Sequence, residues 1–263
     1  MTAKSSPRSA TATDLLVPRP RPARDEDAPG QDGGGQALPD YLEEPLLKLK
    51  LNHARAACPD LLASAKAEAW THEEFLRRFL NEEIMGVDEA RRAARVRAAR
   101  FAPNAKSFAS WKPEQSSIDI DVQKALIALE WIRRKETIVF AGPSGTGKSH
   151  LAGALSRHAI EHDMRVIWHT LETLGDLLAK AKVDGTVTRT IAKICANHII
   201  VIDDIGVLPV ESIQAEAFYR IIDCAYERRS IILTSNTHPS GFDSIMPKTL
   251  ATAGVDNFST MRT

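Results

Sequence analysis

Residues 142–149 read Gly-Pro-Ser-Gly-Thr-Gly-Lys-Ser. The apolar run Thr-Ile-Val-Phe-Ala at 137–141 precedes them, and residues 148–162 follow with helical spacing. A glycine-rich turn between strand and helix is the setting in which G-x-x-x-x-G-K-[ST] cradles phosphate groups. Gly142, Gly145 and Gly147 let the backbone turn tightly, so that successive N–H groups point inward at phosphate oxygens. The helix N-terminus adds the positive end of its dipole. Lys148 is expected to reach the β- and γ-phosphates, and Ser149 to place its hydroxyl on Mg²⁺. The candidate nucleotide-binding set is therefore Gly142, Pro143, Ser144, Gly145, Thr146, Gly147, Lys148, Ser149 and His150.

Two further features complete a site of this kind. Residues 198–203 (His-Ile-Ile-Val-Ile-Asp) form an apolar strand closed by Asp203 and Asp204. In a Walker B element the first carboxylate holds Mg²⁺ through a coordinated water, and the second polarises the water that attacks the γ-phosphate. Asp203 is thus the metal candidate beside Ser149, and Asp204 a catalytic candidate with Lys148. Asn236 ends the next strand, 230–235, where an amide can orient that water; capping a turn is its plainer use. The H-x-x-E-H pattern at 158–162 is not read as a zinc site, because it lies at the far end of the helix after the loop and no further acidic ligand segment is evident. His158 and His162 suit a helix C-terminus. The three cysteines, Cys58, Cys195 and Cys224, form no C-x-x-C pair, which fits a reducing cytoplasm.

The remaining chain organises around this unit. Residues 1–39, rich in proline, glycine and charge, are expected to be a disordered leader. Residues 40–112 are expected to be a small all-helical domain. In it Thr71-His72-Glu73-Glu74 reads as a capping box, with Phe75, Leu76, Phe79, Leu80 and Ile84 forming a helical core. A second, basic stretch follows. Arg91, Arg92, Arg95, Arg97, Arg100, Lys106 and Lys112 occur without one acidic residue between them, interleaved with Phe101, Phe108 and Trp111. A zero net charge, 34 basic against 34 acidic residues, conceals this patch. Either it contacts a phosphate backbone or it is a solvated helix whose arginine stems cover apolar surface. Residues 113–263 alternate strand and helix, which predicts a parallel α/β sheet with helices on both faces and ligands at the strands' carboxyl ends. No apolar run approaches membrane-spanning length, so no membrane partner is expected.

Taken together, YLEEPLLKLKLNHA, THEEFLRRFLNEEI, FAGPSGTGKSHLAGAL, VIDDIGVLPV, YERRSIILTSN and IMPKTLATA closely resemble the IstB-like ATP-binding helper proteins of bacterial insertion sequences, which are AAA+ ATPases akin to DnaC-type helicase loaders. The resemblance implies a five-stranded AAA+ sheet, ATP and Mg²⁺ as ligands, ATP-dependent homo-oligomers on duplex DNA, and recruitment of the element's transposase. A DnaC-like loader is the alternative partner class. After LATA the family continues with an arginine that reaches a neighbouring subunit's ATP; here Asn257 stands at that position, and Arg262 has no spacing to replace it. The chain is therefore expected to lack the family's fifth strand and to leave 137–141 as a sheet edge; it is expected to be an ATPase with turnover below a full-length relative's, the alternative being an ATP-binding assembly module with little or no turnover.

Overall fold

A computed structural model describes residues 38–101, 106–205, 211–236 and 259–262. The expected leader, apart from Leu38 and Pro39, lies outside the described residues, as do the IMPKTLATA segment and Asn257. The chain divides between Ile84 and Met85 into two compact units.

The first unit holds α1 (Asp40–Lys48), α2 (Asn52–Ala67) and the first turns of α3 (His72–Ala99). Thr71 caps α3 by accepting a hydrogen bond from Glu74 N–H at 3.2 Å. The N-terminus of α2 has no cap from its own neighbour Leu51. Instead the Glu83 carboxylate of α3 accepts from His53 and Ala54 N–H, at 2.8 and 2.9 Å. This satisfies two orphan donors and sets a negative charge on the helix's positive end. The helical core expected from α3 is only half right. Phe75 and Phe79 stack 6.0 Å apart and are half-buried, and Glu83 continues their face one turn on. Leu76, Leu80 and Ile84 are each about half exposed or more, at 55%, 45% and 58%. They lie one residue on from that face, about 100° around the helix, which turns them outward.

In the second unit, β1 (Thr137–Ala141), β2 (Val166–Thr170), β3 (Ile199–Ile205), β4 (Ser230–Ser235) and β5 (Ser259–Arg262) form one sheet of order β2-β3-β4-β1-β5, every neighbouring pair parallel. β1 is therefore not an edge. Ile138 to Ala141 are in register with Ser259 to Arg262, so the missing fifth strand is corrected to a short one of four residues. Even a short segment satisfies β1's outer N–H and C=O groups.

Alternation along the strands, in β3 as far as Ile202, fills two cores. Ile138, Phe140, Trp168, Val201 and Ile232 pack on α6 (Lys148–Glu161), α4 (Ile120–Ile127) and α5 (Glu130–Arg133). Val139, Ile167, Ile200, Ile202 and Leu233 pack on α7 (Leu171–Val183), α8 (Val187–Cys195) and α9 (Ser212–Ala225). Strands this apolar on both faces suit a sheet covered by helices on both sides. Reciprocal capping boxes start α7 at Thr170/Thr173 and α9 at Glu211/Gln214. α7 and α9 approach so closely at Gly175 that a Cβ there would sit 2.6 Å from Gln214 Cγ. His162 Nδ1 bonds the His158 carbonyl at 2.9 Å, at the C-terminus of α6. The arginines at 91, 92, 95 and 97 do not open a separate element: α3 runs 28 residues and carries them in its last turns, while Arg100, Lys106 and Lys112 follow its end at Ala99.

Candidate functional site

The site forms where β1, β3 and β4 end together. Gly142 N–H donates to the Ser235 carbonyl at 3.1 Å, which ties the start of the loop to the end of β4. Gly145 and Gly147 take φ of +86° and +90°, the left-handed region that side chains resist. Thr146 Oγ1 donates to the Pro143 carbonyl at 3.0 Å and closes the turn. Ser144, Gly145 and Thr146 are exposed on its rim.

Lys148 opens α6 and is buried, with 6% exposure. Its ammonium donates to the Gly142 and Pro143 carbonyls, each at 2.8 Å. Among the described residues no carboxylate pairs with it directly. Desolvation lowers its pKa, and the charges of Asp204 and Asp203 oppose that shift from farther away. A buried cation held only by neutral carbonyls is the arrangement an incoming phosphate would stabilise.

Asp203 is 4% exposed. Its Oδ1 accepts from Ser149 Oγ at 2.8 Å and also from Thr234 Oγ1. Thr234 in turn accepts from Asp204 N–H at 3.0 Å. A hydroxyl and a carboxylate from elements 54 positions apart in sequence thus meet as a pair of hard oxygen donors. Mg²⁺ needs only one or two such protein ligands beside phosphate oxygens and water, so these residues fit it.

Asp204 breaks the strand's alternation. Its φ is +61°, and the β3–β4 register slips between Ile202 and Ile205. A bulge of this kind re-aims a side chain beside a site, at a cost in backbone strain. Without it Asp204 would point with Ile202 into the α7–α9 core. With it the carboxylate is exposed on the Lys148 side. Desolvation and the Asp203 charge raise its pKa, and Lys148 partly offsets them. Asn236 follows β4, exposed, with its N–H on the Ile205 carbonyl at 3.3 Å.

His150 is held by the segment that precedes α4. Its Nε2 lies 3.2 Å from both the Ser107 carbonyl and Ser110 Oγ, and Trp111 meets its ring edge-on at 5.0 Å. The Trp111 ring also covers Gly147, where a Cβ would come within 3.4 Å of it. Gln123 fixes Trp111 by accepting from its indole N–H at 2.9 Å. Sequence reasoning missed this brace and Thr234. The only signal for Thr234 was its place before Ser235-Asn236 at the strand end.

The five arginines of the basic stretch separate. Arg91 lies 3.6 Å from Asp88, and Arg95 pairs with Asp163. Arg92, Arg97 and Arg100 are exposed. Among the described residues none of the five is hydrogen-bonded or ion-paired to the phosphate loop.

A parallel sheet of this order, with a phosphate loop after β1 and paired carboxylates ending β3, defines a P-loop nucleotide-binding domain of the AAA+ class. The model of the IstB-like ATP binding protein family matches residues 45–259, and the chain belongs to that family. It is 33% identical over 196 residues to the insertion sequence IS21 putative ATP-binding protein of Pseudomonas aeruginosa, covering 74% of each chain. It is 32% identical over 200 residues to the IS5376 putative ATP-binding protein of Geobacillus stearothermophilus, covering 73% of this chain and 79% of that one. Among solved structures the AMPPCP-bound DnaA of Aquifex aeolicus is similar in fold, with a TM-score of 0.52 at 21% identity, over 62% of this chain and 51% of that one. No helix among the described residues is long and apolar enough to cross a membrane.

Proposed function

We propose that this protein is an ATP-hydrolysing helper of DNA transposition. In this reading it assembles with copies of itself on duplex DNA in the cytoplasm and recruits or stimulates the element's transposase. The observation that carries the reading is the Ser149–Asp203–Thr234 cluster, joined to the phosphate loop in a chain of the insertion-sequence ATP-binding family. Lys148 exchanges its two carbonyl partners for β- and γ-phosphate oxygens. Ser149 and Asp203 hold Mg²⁺, which supplies charge neutralisation on the phosphates. Asp204, re-aimed by its bulge, accepts the proton of the attacking water, and Asn236 orients that water. Arg91, Arg92, Arg97 and Arg100 are the exposed members of the basic stretch available for phosphate-backbone contact, Arg91 having only an exposed 3.6 Å pair with Asp88, whereas Arg95 is paired with Asp163.

A second reading keeps the ATP-dependent assembly and removes most of the turnover. It is favoured by Asn257, which stands where the family carries an arginine finger. Steady-state ATP hydrolysis with and without added duplex DNA separates the two. DNA-stimulated turnover that Lys148→Ala abolishes supports the helper as an enzyme. Nucleotide binding without measurable turnover supports the assembly module. An unchanged nucleotide affinity in Lys148→Ala would refute both.

A further inference from the structure

The amino ends of the strands, opposite the nucleotide site, carry their own pattern. Val166 is in register with Ile199, and Ile199 with Ser230, so the residues just before them, Arg165, His198 and Arg229, occupy one rung. Thr137 is in register with Ile231, which brings Lys135 onto the same rung. We propose that this row of Lys135, Arg165, His198 and Arg229, with Arg228 beside it, binds the phosphate backbone of duplex DNA. The inference rests on the transposition reading for its choice of DNA and adds a surface to it.

The row is built rather than incidental. Arg165 N–H donates to His198 Nδ1 at 2.8 Å, and His198 N–H to the Arg165 carbonyl at 2.8 Å. Arg165 Nη2 donates to the Ala196 carbonyl at 2.8 Å, and Arg229 Nε to the Cys195 carbonyl at 2.7 Å. Both guanidinium groups are thereby fixed at the C-terminal end of α8, where the helix dipole favours them. That role uses one donor of Arg165 and, with the bond to the Arg228 carbonyl, two of Arg229, out of five in each fork. Helix capping does not explain Lys135 and Arg228. Both are exposed, and neither side chain has a hydrogen-bond or ion-pair partner among the described residues.

Charge at this edge is not balanced. Arg95, Arg133, Arg134, Lys135, Arg165, Arg228 and Arg229 outnumber Glu130, Glu136, Asp163 and Glu227, and Asp163, Glu130 and Glu136 are already taken by Arg95, Arg133 and Arg134. After desolvation, the influences that lower the His198 pKa are all cationic: Arg165, Arg229, Lys135 and Arg95. Adjacent strands lie about 4.8 Å apart, so the row across β2, β3, β4 and β1 is about 14 Å long. A single phosphate covers one end of it. Duplex DNA, with one charge per roughly 1.7 Å of axis, presents a repeating anion along its whole length. Strands of five to seven residues separate the row from the nucleotide site by roughly 17–23 Å.

The test uses the full chain with a 50-base-pair fluorescent duplex, read by anisotropy across a salt series. Lys135→Glu/Arg228→Glu should weaken binding at least tenfold and reduce the slope of log affinity against log salt by about 2. Affinity for a fluorescent ATP analogue should stay the same. Lys135→Gln/Arg228→Gln should give a smaller loss in the same direction, which keeps the test valid if the double glutamate variant folds poorly. A parent protein that binds DNA while the glutamine variant keeps its full affinity and salt slope overturns this surface and leaves the transposition reading standing. A parent that does not bind DNA at all overturns that reading. Displacement of the duplex by polyglutamate at equal charge concentration would overturn the assignment to DNA in favour of an acidic polypeptide.

Discussion

Thr234→Val is the sharpest probe of how the site is held. Valine keeps the shape of a side chain that is 0% exposed, and it removes one hydroxyl. That hydroxyl donates to Asp203 Oδ1 and accepts the Asp204 N–H at 3.0 Å. Losing a hydrogen bond to a charged, buried carboxylate costs about 1.5–3 kcal/mol. Leaving the Asp204 N–H unpaired adds about 1 kcal/mol, the low end of the usual range, because that bond is only part-buried. The sum, about 3 kcal/mol, corresponds to a fall in melting temperature of roughly 6–12 °C for a unit of this size. Asp203 also loses one of the two donors that orient it, and outer partners of this kind alter metal affinity by about tenfold or more. Thermal melts without nucleotide, and Mg²⁺ titrations of the fluorescent ATP analogue's binding, read the two effects separately. Thr234→Ser keeps the hydroxyl and should recover most of both. A Thr234→Val protein that melts within about 2 °C of the parent and has the same Mg²⁺ dependence would refute the reasoning.

Two other perturbations follow from buried geometry. His169 is 5% exposed, and burial, followed by the Arg100 charge, lowers its pKa from 6.5 to about 4. Between those values the unfolded chain holds the extra proton, so stability should rise with pH from about 4 to 6.5, by on the order of 3 kcal/mol. Denaturant titrations across that window should show the slope, and His169→Leu should flatten it. Gly175→Ala places a methyl 2.6 Å from Gln214 Cγ and should cost about 1–3 kcal/mol in the same measurement. Gln214→Ala in that background should recover part of the loss in a double-mutant cycle; purely additive losses would show that the two helices do not meet there.

The parts of the fold that could be read from the sequence are those fixed by short-range rules. The phosphate loop announces itself because glycine spacing, a strand and a helix occur within twenty-five residues or so. The alternation of β1 to β4 with helices is legible because each element repeats its own period. Thr234 was not legible, since its role exists only once β3 and β4 pair in parallel and bring it to Asp203, 31 positions away in sequence. The bulge at Asp204 depends on the same pairing. In α3 the apolar residues were found, but their phase was not. Phe75 and Phe79 compete with Leu76 and Leu80 for the buried face, and spacing alone gives both sets equal claim. The short β5 was missed because four residues carry too little pattern to reveal a strand. Its place beside β1 followed from the family's sheet order.

The brace over the phosphate loop gives the protein an optical reporter of its own. Of the four tryptophans in the chain, Trp111 is the one whose ring covers Gly147 and meets His150 edge-on. Trp131 and Trp168 are sealed in the core, and Trp70 lies under the Arg78 guanidinium in the other compact unit. Light emitted by Trp111 therefore carries information about the first turn of α6 and the loop that leads into it. Movement of that loop can be timed from the protein's intrinsic fluorescence, with no dye attached and no residue of the site replaced.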